Sequence, residues 1–120
     1  MATVLVVDDR PEWRQRVREA LASHGHTVVG EAADGLEAVA LYPHLTPHVV
    51  TMDIQMPNMD GVRCLEALRA LDPAARVVMV TSIDSSASRR RCYELGAVGY
   101  VVKPFTDDEL VLMLEEALLS

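Results

Sequence analysis

The sequence predicts a doubly wound α/β domain, in which a five-stranded parallel sheet carries helices on both faces. Three observations point there. Short β-branched and aliphatic runs alternate five times with stretches of helical periodicity. The first of these runs, Val4-Leu5-Val6-Val7, is apolar throughout instead of alternating with polar residues, as a strand covered on both faces requires. At 120 residues, 50% of them apolar, the chain has the material for one core and one domain, spanning residues 1–120.

Val4-Leu5-Val6-Val7 is the first strand, stopped by Asp8-Asp9. Pro11 suits a first helical turn, and Trp13, Val17, Ala20 and Leu21 recur on one helical face until Gly25 ends the run. Thr27-Val28-Val29 with Glu31-Ala32 makes the second strand. Leu36, Val39 and Ala40 stripe a short second helix expected to stop near Pro43. The third strand, His48 to Met52, runs straight into Asp53, and Val62, Leu65, Leu68 and Leu71 stripe the helix that ends at Asp72-Pro73. Val77 to Thr81 forms the fourth strand, and a Ser-rich, polar helix follows it to Leu95-Gly96. Tyr100-Val101-Val102 is the fifth strand. The last helix carries Leu110, Met113, Leu114, Ala117 and Leu118, with Thr106 as N-cap and Glu109 completing a capping box. Strict alternation implies right-handed crossovers. The strand order expected, by analogy with other doubly wound sheets of this size, is the flavodoxin-like 2-1-3-4-5.

Composition excludes several function classes. A formal charge of −7 argues against direct nucleic-acid binding, which rests on a basic face. No apolar run reaches the roughly 18 residues of a membrane span, and no charged segment precedes an apolar one at the start, so a cytoplasmic protein with no membrane association is expected. Cys64 and Cys92 lie far apart without metal-ligand spacing and read as buried thiols of a reducing compartment. The four histidines, His24, His26, His44 and His48, show no ligand spacing and read as surface or packing residues. Arg89-Arg90-Arg91 falls on the polar fourth helix, where a solvated face is the first reading and a partner contact the second.

The chemistry should sit beyond the carboxyl ends of the strands, at the switch point between the first and third. Asp8 and Asp9 close the first strand, Asp53 the third and Thr81 the fourth, and Lys103 follows the fifth. Singly, each is an ordinary loop or cap residue, and Asp9 is a candidate cap for the first helix. Four such ends out of five are not an accident of loop composition. Three converging carboxylates repel one another, and a cation offsets the charge. All-oxygen ligands without histidine suit Mg²⁺, held by Asp8, Asp9 and Asp53. Asp53 then serves as nucleophile toward a phosphoryl group, Lys103 supplies positive charge, and the Thr81 hydroxyl donates to a phosphoryl oxygen.

The pieces Val6-Val7-Asp8-Asp9, Met52-Asp53-Ile54-Gln55-Met56-Pro57-Asn58-Met59-Asp60-Gly61, Val80-Thr81-Ser82 and Gly99-Tyr100-Val101-Val102-Lys103-Pro104-Phe105 appear in that order. Together they resemble the receiver domains of bacterial two-component response regulators over nearly the whole chain. The resemblance implies a phospho-aspartate at Asp53, formed from a sensor histidine kinase or phosphotransfer protein. It implies Mg²⁺ on Asp9, Asp53 and the main-chain carbonyl of Gln55, with Asp8 holding a metal-bound water. Thr81 and Tyr100 become a coupled switch, in which the hydroxyl moves to the phosphoryl group and the ring turns inward. The output surface is the fourth helix, fifth strand and fifth helix, toward a separate partner or a fused effector domain. A second copy, in a phosphorylation-dependent dimer, is a further candidate partner. A cis Lys103-Pro104 bond is also implied. Ile83, two residues after the switch hydroxyl, is expected to shield the acyl phosphate and slow its loss.

Three other functions compete. A Mg²⁺-dependent aspartyl-phosphate phosphatase needs a second acid two residues after its nucleophile, where this chain has Gln55. A flavodoxin-like electron carrier needs a first loop that accepts phosphate, which Asp8-Asp9 would repel. A docking module that works without phosphorylation leaves the acid cluster unexplained.

Overall fold

The computed structural model describes residues Met1–Ser120. Five strands, β1 (Thr3–Val7), β2 (Thr27–Ala32), β3 (Val49–Met52), β4 (Val77–Thr81) and β5 (Gly99–Val102), alternate with five helices, α1 (Pro11–Ala22), α2 (Gly35–Leu45), α3 (Gly61–Leu71), α4 (Ser86–Glu94) and α5 (Asp107–Ala117). All strand pairs are parallel, in the order β2-β1-β3-β4-β5. This is the architecture and the order expected from the sequence.

The period of a strand sorts its side chains onto two faces. Leu5, Val7, Val50, Met52, Val77 and Met79 join the core beneath α2, α3 and α4. Val4, Val6, Val49, Val78, Val80 and Val101 join a second core with α1 and α5. Each such buried aliphatic side chain contributes roughly 1.5–3 kcal/mol relative to exposure.

Three details position the site. Gly61 opens α3 directly against the chain after β3, and its N–H donates to the Ile54 carbonyl at 2.8 Å. A Cβ on Gly61 would lie 2.8 Å from the Asp53 carbonyl carbon and from Ile54 Cα, and closer still to the Asp53 carbonyl oxygen. The Asp34 side chain caps α2 by accepting from the Glu37 N–H at 2.8 Å, and accepts from Asn58 Nδ2 at 2.6 Å. Asn58 itself holds a left-handed backbone, φ 66°, in the loop after Asp53. The Lys103-Pro104 bond is cis, as the resemblance implies.

One element departs from the expectation. α2 does not stop near Pro43 but runs through it to Leu45, where Thr46 closes the helix in the left-handed conformation with its N–H on the Tyr42 carbonyl. A proline in the last turn removes a single ladder hydrogen bond, and the extra turn packs Leu45 against the core over Gly30. α4 is as polar as the sequence suggests, with Cys92 its one buried residue.

Candidate functional site

The strand ends of the sheet bring Asp8, Asp9, Asp53, Thr81 and Lys103 to one edge, around a cavity of about 450 Å³ that Asp9, Asp53, Gln55 and Lys103 help to line. Asp8 is buried because it continues β1, its own N–H donating to the Ala32 carbonyl at 3.0 Å. Its Oδ1 accepts from the Arg10 N–H at 3.0 Å and its Oδ2 from Lys103 Nζ at 2.6 Å. Asp53, also buried, continues β3 through an N–H to the Val7 carbonyl at 3.0 Å. Its Oδ1 accepts from the Ile54 N–H at 2.8 Å and its Oδ2 lies 3.4 Å from Lys103 Nζ.

Asp9 is exposed. It does not cap α1, whose N-cap is Arg10 with no side-chain cap at all. Asp9 stands one residue ahead of that N-cap position, and it lines the cavity instead. Carboxylate oxygens of Asp8, Asp9 and Asp53 lie within 4.8 Å of one another. One ammonium serves this cluster, so the pocket keeps excess negative charge, and Asp9 has no cation of its own. Burial pushes the Asp53 carboxyl above the usual carboxylate range; Lys103 opposes that rise and the charge on Asp8 adds to it. A hard, all-oxygen, under-neutralised donor set fits a small divalent cation.

Thr81 is fully buried, and its Oγ1 accepts from the Ile83 N–H at 3.2 Å. Its carbonyl accepts from the Lys103 N–H at 2.8 Å, which fixes the root of the lysine side chain. Tyr100 is 3% exposed: the ring lies inward, its hydroxyl donates to the Ile83 carbonyl at 2.8 Å and meets Ser88 Oγ at 3.0 Å, and the Arg89 guanidinium sits 4.9 Å over the ring. Burial raises the phenol above its ordinary pKa. In this structure the ring thus occupies the inward position that the resemblance assigns to the switched state. Three partners already hold the ring, and the backbone of Ile83 ties Thr81 to Tyr100.

The Ile83 side chain packs onto the core beneath α4. Ser82, not Ile83, lines the cavity, so the expected shield over Asp53 is not in place. Sequence reading also missed Trp13 and Pro104, which line the cavity as well. The cavity is not the largest concavity: an open groove of about 770 Å³ lies on α4 among Asp84, Ser86, Arg89, Arg90 and Tyr93. That groove holds no cluster of metal-ligating side chains. Two of the histidines hold backbone groups: His26, buried, accepts the Ala2 N–H on Nδ1 at 3.1 Å with Nε2 3.2 Å from Glu115, and the exposed His48 accepts the Thr3 N–H on Nδ1 at 3.0 Å.

Comparison with known proteins agrees with this geometry. The family model described as response regulator receiver domain matches residues 4–115. Protein CcdB of Bacillus subtilis is 40% identical over 111 residues, 92% of this chain and 92% of that protein. Chemotaxis protein CheY of Listeria monocytogenes is 37% identical over 117 residues, 98% of each chain. Among solved structures, CheY in a CheX-CheY-BeF3-Mg complex from Borrelia burgdorferi superposes with a TM-score of 0.95 at 31% identity, covering 98% of this chain and 90% of that one. No helix is long and apolar enough to cross a membrane. Matched over nearly its whole length by the family model and by relatives of its own size, the chain belongs to the response regulator receiver domains, the phosphorylation-activated switches of two-component signalling.

Proposed function

We propose that Asp53 is the phosphoryl acceptor of this switch, and that a phosphohistidine on a sensor kinase or phosphotransfer protein is its donor. One observation carries the reading: a single buried ammonium, Lys103 Nζ, bridges Asp8 at 2.6 Å and Asp53 at 3.4 Å beside a third carboxylate, Asp9, that has no cation of its own. In the transfer, a carboxylate oxygen of Asp53 forms a bond to phosphorus as the bond from phosphorus to the donor's imidazole nitrogen breaks, its electron pair leaving with the imidazole. Lys103 stabilises the charge on the phosphoryl oxygens, and its approach is already within reach of both acids.

Asp8, Asp9, Asp53 and the Gln55 carbonyl would hold Mg²⁺. When bound, that ion neutralises developing phosphoryl charge and orients the donor. The solved CheY complex that contains Mg and BeF3 supports the fit by similarity. The Thr81 hydroxyl, on this reading, turns from accepting the Ile83 N–H to donating to a phosphoryl oxygen. Releasing Ile83 then loosens a residue that Tyr100 holds from the other side, so the change reaches α4, β5 and α5. A groove of about 430 Å³ on that face, lined by Asp84, Arg89, Tyr100, Leu112 and Met113 among others, is the proposed output surface. The partner there is a separate protein, a fused effector or a second copy. The two buried free thiols, Cys64 and Cys92, support action in a reducing cytoplasm.

The test is incubation with acetyl phosphate and Mg²⁺, followed by intact-protein mass spectrometry. A phosphoryl adduct should form on the native chain and be absent in Asp53→Asn and without Mg²⁺. Labelling of Asp53→Asn to the native extent would overturn the assignment.

A further inference from the structure

The Lys103 ammonium has a neighbour that the carboxylates do not account for. Besides Asp8 and Asp53, it lies 4.7 Å from the centroid of the Trp13 indole. An ammonium carries three donors, and two acids plus one ring face surround it. The lysine side chain is 5% exposed, so water competes little, and this is the setting in which a cation over an aromatic face is held most firmly.

Trp13 is itself fixed. Its ring packs on Phe105 with centroids 5.7 Å apart and planes tilted by 39°. The Arg16 guanidinium lies 4.9 Å over Phe105 and donates to Asp107 at 2.6 Å and to the Phe105 carbonyl at 3.0 Å. A stack of Arg16, Phe105, Trp13 and Lys103 thus runs from the start of α5 to the acceptor. Trp13 also lines the acceptor cavity, so its indole is not merely core filling.

We propose that Trp13 is a positioning residue for Lys103, its indole face retaining the ammonium beside Asp53 while the lysine exchanges carboxylate partners for phosphoryl oxygens. The inference rests on Asp53 being the acceptor. The physical reason is that a ring face attracts a cation without a directional hydrogen bond. The three donors of Lys103 can therefore re-aim while the nitrogen keeps its neighbour. A carboxylate or amide at position 13 would instead compete with the phosphoryl group for those donors.

The test compares Trp13→Leu, which keeps apolar bulk without a π face, with Trp13→Phe, which keeps a smaller one. The phosphorylation rate from acetyl phosphate is measured by mass spectrometry at saturating Mg²⁺. Trp13→Leu should be slower by roughly three- to thirtyfold and Trp13→Phe should recover part of the loss. In a Lys103→Met background, Trp13→Leu should slow the residual reaction no further, a coupling that a merely structural role would not produce. Without metal or donor, the Lys103 side-chain protons should show an upfield ring-current shift in NMR that Trp13→Leu abolishes. A Trp13→Leu rate within twofold of the native rate, additive losses in the double variant, or a Lys103 shift indifferent to Trp13 would each overturn the proposal. Failure of the native chain to take a phosphoryl group would instead overturn the acceptor assignment and this inference with it.

Discussion

Replacing Gly61 by Ala puts a methyl group where the structure has backbone. The new Cβ would stand 2.8 Å from the Asp53 carbonyl carbon and from Ile54 Cα, and nearer still to the Asp53 carbonyl oxygen. None of these atoms can swing aside as a flexible side chain does, so α3 and the chain after β3 must separate. Overpacking of this kind costs about 1–3 kcal/mol and more where backbone is the obstacle. Separation also strains the Gly61 N–H to Ile54 carbonyl bond, 2.8 Å long, worth about 1 kcal/mol. We expect a total loss of about 3–4 kcal/mol. Gly25→Ala is the control, because Gly25 has φ +81° with nothing within 4 Å of a Cβ, leaving only backbone strain of about 1–2 kcal/mol. Urea unfolding of both variants against the native chain, with slopes compared to check that the exposed surface is unchanged, gives the two values. Phosphorylation of Gly61→Ala should slow as well, because the clash falls on the residue that carries the acceptor. A Gly61→Ala loss no larger than that of Gly25→Ala would refute the reasoning.

Three further outcomes follow from the same geometry. Asp9→Asn removes one of three clustered carboxylates from an exposed position, so thermal melting in chelator should be unchanged or slightly raised; the stabilisation that the native chain gains from millimolar Mg²⁺ should be lost. Both thiols are buried, with burial pushing Cys64 up to about 12 and Cys92 above its ordinary value. Neither should react with a thiol reagent in mildly alkaline native buffer, and both should react in denaturant. The Tyr42 hydroxyl donates to Asp72 Oδ2 at 2.8 Å. That bond holds the Asp72 carboxyl below its usual range, while burial first, and Asp72 second, push the Tyr42 phenol up to about 12. A depressed acid stabilises the fold above its unfolded pKa and loses that as pH falls through the folded value. A raised phenol stabilises below its unfolded value near 10 and loses that as pH rises toward 12. The stability gap between the native chain and Tyr42→Phe should accordingly be widest between those limits and close at both ends, measured by urea unfolding across pH.

Most of the candidate site could be read from the chain because the relevant residues immediately follow or end strands. Asp8, Asp53 and Lys103 come straight after apolar runs, and Thr81 ends one. In a parallel sheet covered on both faces, such residues can only emerge at one edge. The order of strands came by analogy, since no single residue specifies which run pairs with which. Asp9 illustrates the limit: sequence left it as cap or ligand, and only the folded chain, in which Arg10 takes the N-cap position, puts Asp9 on the cavity.

What the sequence by itself determined is the set of elements, their burial and the edge at which the acids gather, because strand and helix periods and the position of the first polar residue are local properties. Tertiary structure decided the rest. Lys103 meets Asp8 across 95 residues of chain, and no local pattern encodes a distance of that kind. α2 passes through Pro43 because Leu45 has a core to reach, Ile83 turns away from Asp53 because the core beneath α4 takes its side chain, and Tyr100 lies inward because Ile83, Ser88 and Arg89 all hold it there. Trp13 belongs to the apolar stripe of α1 by its spacing, yet Lys103 lies over its ring. Each of these outcomes is a competition between partners that meet only when the chain is folded, and the winner depends on which groups packing brings within a few ångströms.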